Sequence, residues 1–77
     1  MLSDTFQIIL MKILNNIEID SNKLERILEY IQTKPIESYV YPEVVEEKLD
    51  VAISDCMKVF VYLEKFGVLK QVILSKM

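Results

Sequence analysis

The chain contains a single glycine, Gly67, which follows its longest run of apolar residues at helical spacing. The segment "EEKLDVAISDCMKVFVYLEKFG" (residues 46–67) predicts two helices joined by a short corner, because apolar residues recur at steps of three and four. Gly67 is the expected C-cap of the second helix. With 77 residues, 52% of them hydrophobic, the chain is expected to fold as one small domain that leaves some apolar surface for a partner.

The N-terminal segment predicts a helix from Asp4 to about Asn16. Asp4 and Gln7 resemble a capping box at its start. Ile8 and Met11 widen its apolar stripe beyond what a single partner helix would cover. The stripe is either core or a surface shared with a second subunit. It consists of Phe6, Ile9, Leu10, Ile13 and Leu14.

Four further elements complete the predicted order. A second helix is expected over residues 22–33, with a capping box of Asn22 and Glu25 at its start, and residues 36–41 ("IESYVY") predict a short strand. Pro42 suits the first turn of a third helix ending at Leu49, and the fourth helix is expected from Ser54 to Phe66. The final segment, "VLKQVILSKM", predicts a strand whose hairpin partner does not follow.

From Leu24 onward, the order helix, strand, helix, corner, helix, strand resembles the winged helix-turn-helix family. Members of that family carry an apolar residue followed by a small residue in the turn. A long helix with spaced apolar positions comes next, and it ends in "L-x-x-x-G" followed by an apolar pair. The resemblance covers residues 24–74 and implies a mainly all-α fold with a small β element. It implies a winged-helix core over residues 22–74, an incomplete wing, and an additional N-terminal helix over residues 1–17. The matching positions are Leu49, Val51, Cys56, Phe60, Leu63, Gly67, Val68 and Leu69.

Two positions depart from the family pattern. Asp50 replaces the usual glycine of the turn, although aspartate tolerates the left-handed backbone. Ala52 replaces the usual serine cap of the second helix, so Ser54 is predicted to cap it one step later.

Composition argues against several classes of function. With no histidine and one cysteine, Cys56, the chain lacks a metal-ligand set beyond carboxylates, an internal disulfide and the usual base of a nucleophilic triad. One glycine does not suffice for a phosphate-binding loop. Neither a signal peptide nor a membrane span is predicted. We therefore expect a cytoplasmic protein that is not an enzyme and has no metal, cofactor or small-molecule substrate.

With Cys56, Phe60 and Leu63 expected to face inward, the outer face of the fourth helix predicts a protein interface. Met and aromatic residues are enriched in interfaces, where charged residues are depleted. We therefore expect a module that binds a partner protein or forms a homo-oligomer. Its predicted interface comprises Ile53, Met57, Val61 and Tyr62 on the fourth helix, with Phe6 and Ile13 on the first.

The alternative is a sequence-specific DNA-binding regulator acting as a dimer, with Ser54, Lys58 and Lys65 as the contacting residues. Nine basic and twelve acidic residues give a net charge of −3, which disfavours phosphate contacts. Glu43, Glu46 and Glu47 of the third helix carry the wrong sign for the phosphate backbone. A membrane-surface helix is a third alternative, which the scarcity of Lys and Arg disfavours.

Overall fold

The computed structural model describes residues 1–71, which form four helices and a two-stranded sheet. The prediction of a mainly helical fold with a small β element is therefore confirmed. The chain divides into two compact units, Met1–Pro35 and Ile36–Met77. The first unit contains α1 (Asp4–Leu14) and α2 (Ser21–Gln32). The second contains β1 (Ser38–Val40), α3 (Pro42–Leu49), α4 (Ile53–Lys65) and β2 (Leu69–Gln71).

The division between the units differs from the predicted organisation of the chain. The sequence predicted a single domain with an additional helix over residues 1–17 and a core over residues 22–74, and the observed division falls at Pro35. The helix α2 belongs with α1, and the two helices pack against each other. The predicted core of residues 22–74 therefore crosses the division, and its last residues, 72–74, lie outside the described part.

The start of α1 is fixed by a serine cap. Ser3 has an extended backbone, and its hydroxyl oxygen accepts a hydrogen bond from the Phe6 backbone N–H at 3.3 Å. The predicted capping box of Asp4 and Gln7 is wrong, because Gln7 Nε2 donates instead to the Leu2 carbonyl at 3.2 Å. Asp4 occupies the first turn, where a carboxylate is stabilised by the helix dipole.

Polar side chains at both ends of α2 define its position in the first unit. Asp20 Oδ1 accepts from the Asn22 N–H at 2.8 Å, so Asp20 is the cap and the prediction that Asn22 takes this role is wrong. At the other end, Gln32 Oε1 accepts from the Ser3 N–H at 3.1 Å. The Gln32 side-chain amide also donates to the Met1 carbonyl at 2.7 Å. Gln32 therefore ties the start of α1 to the end of α2.

The buried residues of the first unit follow helical spacing. On α2 they recur at steps of three and four, which places them on one face of the helix. On α1 two apolar residues at a spacing of four are buried. The buried set is Ile9, Ile13, Leu24, Ile27, Leu28 and Ile31, together with Leu2 ahead of α1.

The corner between α3 and α4 depends on a left-handed residue. Asp50 has φ 55° and ψ 46°, and its N–H donates to the Glu46 carbonyl at 2.9 Å. The prediction that aspartate replaces glycine in this turn is confirmed. The predicted capping role of Ser54 is wrong, because α4 begins at Ile53 after Ala52, which makes no side-chain capping bond.

The end of α4 is a Schellman motif. Gly67 has φ 79° and its N–H donates to the Glu64 carbonyl at 3.0 Å. The Val68 N–H donates to the Leu63 carbonyl at 2.9 Å, which completes the pair of bonds that define the motif. The prediction of Gly67 as the C-cap glycine is confirmed.

The two strands pair in parallel, with Ser38 opposite Leu69 and Val40 opposite Gln71. The expectation that the last strand has no partner is therefore wrong. Parallel strands need a long crossover connection, and α3 and α4 supply it between β1 and β2. The sequence pattern suggested a hairpin because it reveals only partners that are close along the chain.

Candidate functional site

The inner face of α4 is the core of the second unit. The predicted inward orientation of Cys56, Phe60 and Leu63 is confirmed, because all three are fully buried. Val59 is also fully buried, although the spacing argument did not place it inward. The helix packs against α3 and β2. This packing fixes which side chains α4 presents to solvent.

The predicted interface residues of α4 differ in exposure. Val61 is 55% exposed and Met57 is 37% exposed, whereas Ile53 and Tyr62 are half-buried. At about 100° per residue, Ile53 and Met57 lie toward one edge of the outer face and Tyr62 toward the opposite edge. Val61 lies between them. The four side chains therefore do not form one continuous apolar stripe.

The residues proposed for DNA contact share the outer face with Val61. Ser54, Lys58 and Lys65 are all exposed. Lys65 Nζ lies 5.7 Å from the centroid of the Tyr62 ring, within the range of a cation–π contact. The Tyr62 ring also lies 6.5 Å from the Phe66 ring, at an interplanar angle of 42°. The Tyr62 ring at this edge of α4 therefore already contacts Lys65 and the capping residue Phe66.

The charge of the second unit is acidic. Residues 36–71 contain seven acidic and four basic side chains. On α3, Glu46 and Glu47 are exposed, and Glu43 is half-buried. One carboxylate oxygen of Glu43, Oε1, is buried without a hydrogen-bond partner among the described residues. This charge distribution is unfavourable for a surface that would approach phosphates.

The structure changes the assignment of the apolar residues on α1. Ile13 was predicted to lie in a partner interface, but it is fully buried and belongs to the core. Phe6 is half-buried. The exposed apolar side chains of α1 are instead Ile8 and Met11, at 57% and 64% exposure. The stripe that Ile8 and Met11 widen was visible in the sequence, but the sequence could not say which side of it faces solvent.

Cys56 is a buried core thiol. Burial raises its pKa from 9.0 to about 11, with smaller contributions from the negative charges of Glu46 and Asp55. Its sulfur lies 4.0 Å from the Val51 carbonyl oxygen, a weak hydrogen-bond contact. A thiol that is both inaccessible and protonated is a poor nucleophile.

We expect native Cys56 to react with thiol reagents at least about 100-fold more slowly than in urea, because only the thiolate of an opened chain reacts.

The raised pKa of Cys56 also predicts that the stability of the chain depends on pH. The protonated Cys56 thiol stabilises the folded chain fully below pH 9, and this contribution is lost as the pH rises through about 11. The total change in the free energy of unfolding is about 3 kcal/mol. The check is the difference in unfolding free energy between the wild type and Cys56→Ala, from pH 7 to pH 11. A constant difference would contradict the assignment.

Comparison with protein-family models, with curated proteins and with solved structures found no match to this chain. Within residues 1–71, no three side chains of His, Cys, Asp or Glu come together as a metal ion would require. None of the helices in this part of the chain combines the length and apolar character needed to cross a bilayer.

Proposed function

We propose that residues 36–71 are a helix-turn-helix module of the winged type that binds a protein partner and has no catalytic activity. The observation that carries this proposal is the exposure of Val61 at the centre of the outer face of α4, with Met57 beside it. Ile53 and Tyr62 mark the two edges of the same surface. Lys58 and Lys65 would then lie among the polar groups that surround an apolar contact.

Physical chemistry supports an apolar contact at this position. Burying a side chain such as valine or methionine contributes about 1.5–3 kcal/mol relative to leaving it in water. The second unit is acidic, and its helix α4 exposes apolar side chains. Such a surface gains little binding free energy from contact with phosphates and more from contact with a protein.

Position-specific photocrosslinking tests the proposal. A benzophenone amino acid replaces Val61 in cells of the natural source, and a matched chain carries it at Glu47, an exposed position on α3. We expect a discrete protein adduct from position 61 that disappears when Met57→Glu is added, and no such adduct from position 47. Equal adducts from both positions, or no protein adduct from position 61, would refute a partner at this face.

The DNA-binding alternative has one observation in its favour, since Ser54, Lys58 and Lys65 are exposed on the same side of α4 as Val61. Fluorescence anisotropy with random duplex DNA, between about 50 and 200 mM salt, distinguishes the two functions. We expect no micromolar binding. Micromolar affinity that falls steeply with salt, and that Lys58→Gln weakens, would favour the DNA-binding function instead.

A further inference from the structure

The helix α1 has apolar side chains on opposite sides. Ile9 and Ile13 are buried, whereas Ile8 and Met11 are mostly exposed. A surface helix normally has one apolar face and one polar face, and a helix that is apolar all round is normally covered on every side. Neither exposed residue is an isolated case, because the two lie three positions apart and share one side of the helix. The exposed side of α1 therefore has the character of an interface.

The charges on this helix are arranged symmetrically about Ile8. Asp4 begins the helix and Lys12 lies in its last turn, and both are exposed. Each is four residues from Ile8, which corresponds to about 6 Å along the helix axis. One half of the helix therefore carries a negative charge and the other half a positive charge, with an exposed apolar residue between them.

We propose that α1 pairs with α1 of a second copy of this chain, antiparallel, with the two-fold axis passing next to Ile8. This arrangement places Asp4 of each copy near Lys12 of the other, because both residues are equally distant from the axis. Ile8 then meets its own counterpart, and Met11 packs beside it. A two-fold interface requires a surface that is complementary to itself, and the opposite charges about Ile8 meet this requirement.

The charge pattern favours a second copy in one orientation only. A parallel pair of α1 helices would place Asp4 next to Asp4 and Lys12 next to Lys12, and like charges that face each other are destabilising. A cleft of about 320 Å³ adjoins Met11 within the first unit, and it offers a recess for partner side chains. It is lined by Met1, Leu2, Gln7, Leu10, Met11 and Glu25.

Sedimentation equilibrium over micromolar to millimolar concentrations measures the pairing. We expect the wild type to form a concentration-dependent dimer and Ile8→Glu to remain monomeric, since the substitution places two carboxylates at the axis. Ile36→Glu is the matched control, because Ile36 is 78% exposed but belongs to the second unit, and this variant should dimerise like the wild type. A monomeric wild type, or a dimer that persists in Ile8→Glu, would overturn the proposal.

Exchanging the charges at positions 4 and 12 tests the antiparallel pairing with two variants, so the result does not depend on the stability of a single variant. Asp4→Lys and Lys12→Asp should each dimerise at least tenfold more weakly than the wild type, because like charges then meet across the axis. An equal mixture of the two variants should form a heterodimer, since one chain then carries two positive charges and the other two negative charges. If the mixture associates no better than either variant alone, the antiparallel pairing is wrong.

This inference does not depend on the proposed function of α4. We expect Val61→Glu to leave the dimer intact, because Val61 lies in the second unit. If Val61→Glu were monomeric and Ile8→Glu dimerised like the wild type, self-association would belong to α4. That result would overturn the pairing through α1. A crosslinking result at position 61 bears on the partner of α4 and leaves the sedimentation result unchanged.

Discussion

Replacing Phe60 with alanine is expected to lower the free energy of unfolding by about 3–5 kcal/mol. Phe60 is fully buried on α4, the helix that packs against both α3 and β2. The substitution removes the apolar surface of the ring and leaves a cavity that the neighbouring side chains fill only in part. A single hydrophobic core in a domain of this size rarely supplies more than about 3–5 kcal/mol, so this variant should be largely or wholly unfolded near room temperature.

Urea denaturation followed by far-ultraviolet circular dichroism measures the effect. The matched control is Val61→Ala, one residue further along the same helix, which should change stability by no more than about 0.5 kcal/mol because Val61 is exposed. If Phe60→Ala does not fold, Phe60→Leu gives a smaller loss on a measurable curve. Similar losses at positions 60 and 61 would show that the inner and outer faces of α4 are assigned incorrectly.

Replacing Ile13 with alanine is expected to cost about 2–5 kcal/mol in the first unit. Ile13 is fully buried on α1, which packs against α2. If Ile13 lay only in a partner interface, as its sequence position suggested, truncation would weaken association and leave the stability of the monomer unchanged. The structure predicts the opposite result, because the lost contacts are within the chain.

The control for this experiment is Ile8→Ala, in the same helix and of the same residue type but mostly exposed. We expect Ile8→Ala to change monomer stability by no more than about 0.5 kcal/mol. Thermal and urea unfolding should be measured at low micromolar concentration, since association stabilises the folded state by mass action at higher concentration. A larger loss in Ile8→Ala than in Ile13→Ala would contradict the burial of Ile13.

Local chemistry made several elements predictable. The helix α3 runs from Pro42 to Leu49 as expected, because proline at the first turn and a left-handed residue after the last turn define its ends. Asp50 and Gly67 adopt the positive φ angles that their residue types predict. In each case the deciding interactions lie within a few residues of the chain, where the sequence pattern is informative.

Capping residues were harder to predict from the same kind of evidence. The segment ahead of α1 offers Ser3 beside Asp4, and the segment ahead of α2 offers Asp20 near Asn22. Each of these side chains can accept from a free backbone N–H at a helix start. The choice falls on the residue with an extended backbone, and that conformation depends on how the preceding chain enters the helix.

The candidate sites were predicted only in part. Spacing placed Phe60 inward and Val61 outward on α4 correctly. Spacing could not show that Ile13 is buried and Ile8 is exposed on α1, because this helix has apolar residues on several sides and any of these sides could face the core. It also grouped Tyr62 with Met57 in one apolar patch, whereas the two lie near opposite edges of the outer face.

The sequence by itself determined the mainly helical class, the order of the elements, the corner at Asp50 and the end of α4 at Gly67. These features depend on backbone preferences and apolar periodicity, which act over one or two turns of helix. Only the tertiary structure decided that β1 pairs in parallel with β2, that Ile13 is buried and that Ile8 is exposed. Those outcomes depend on which surfaces meet after the chain has turned back on itself, and residues far apart in sequence determine that contact.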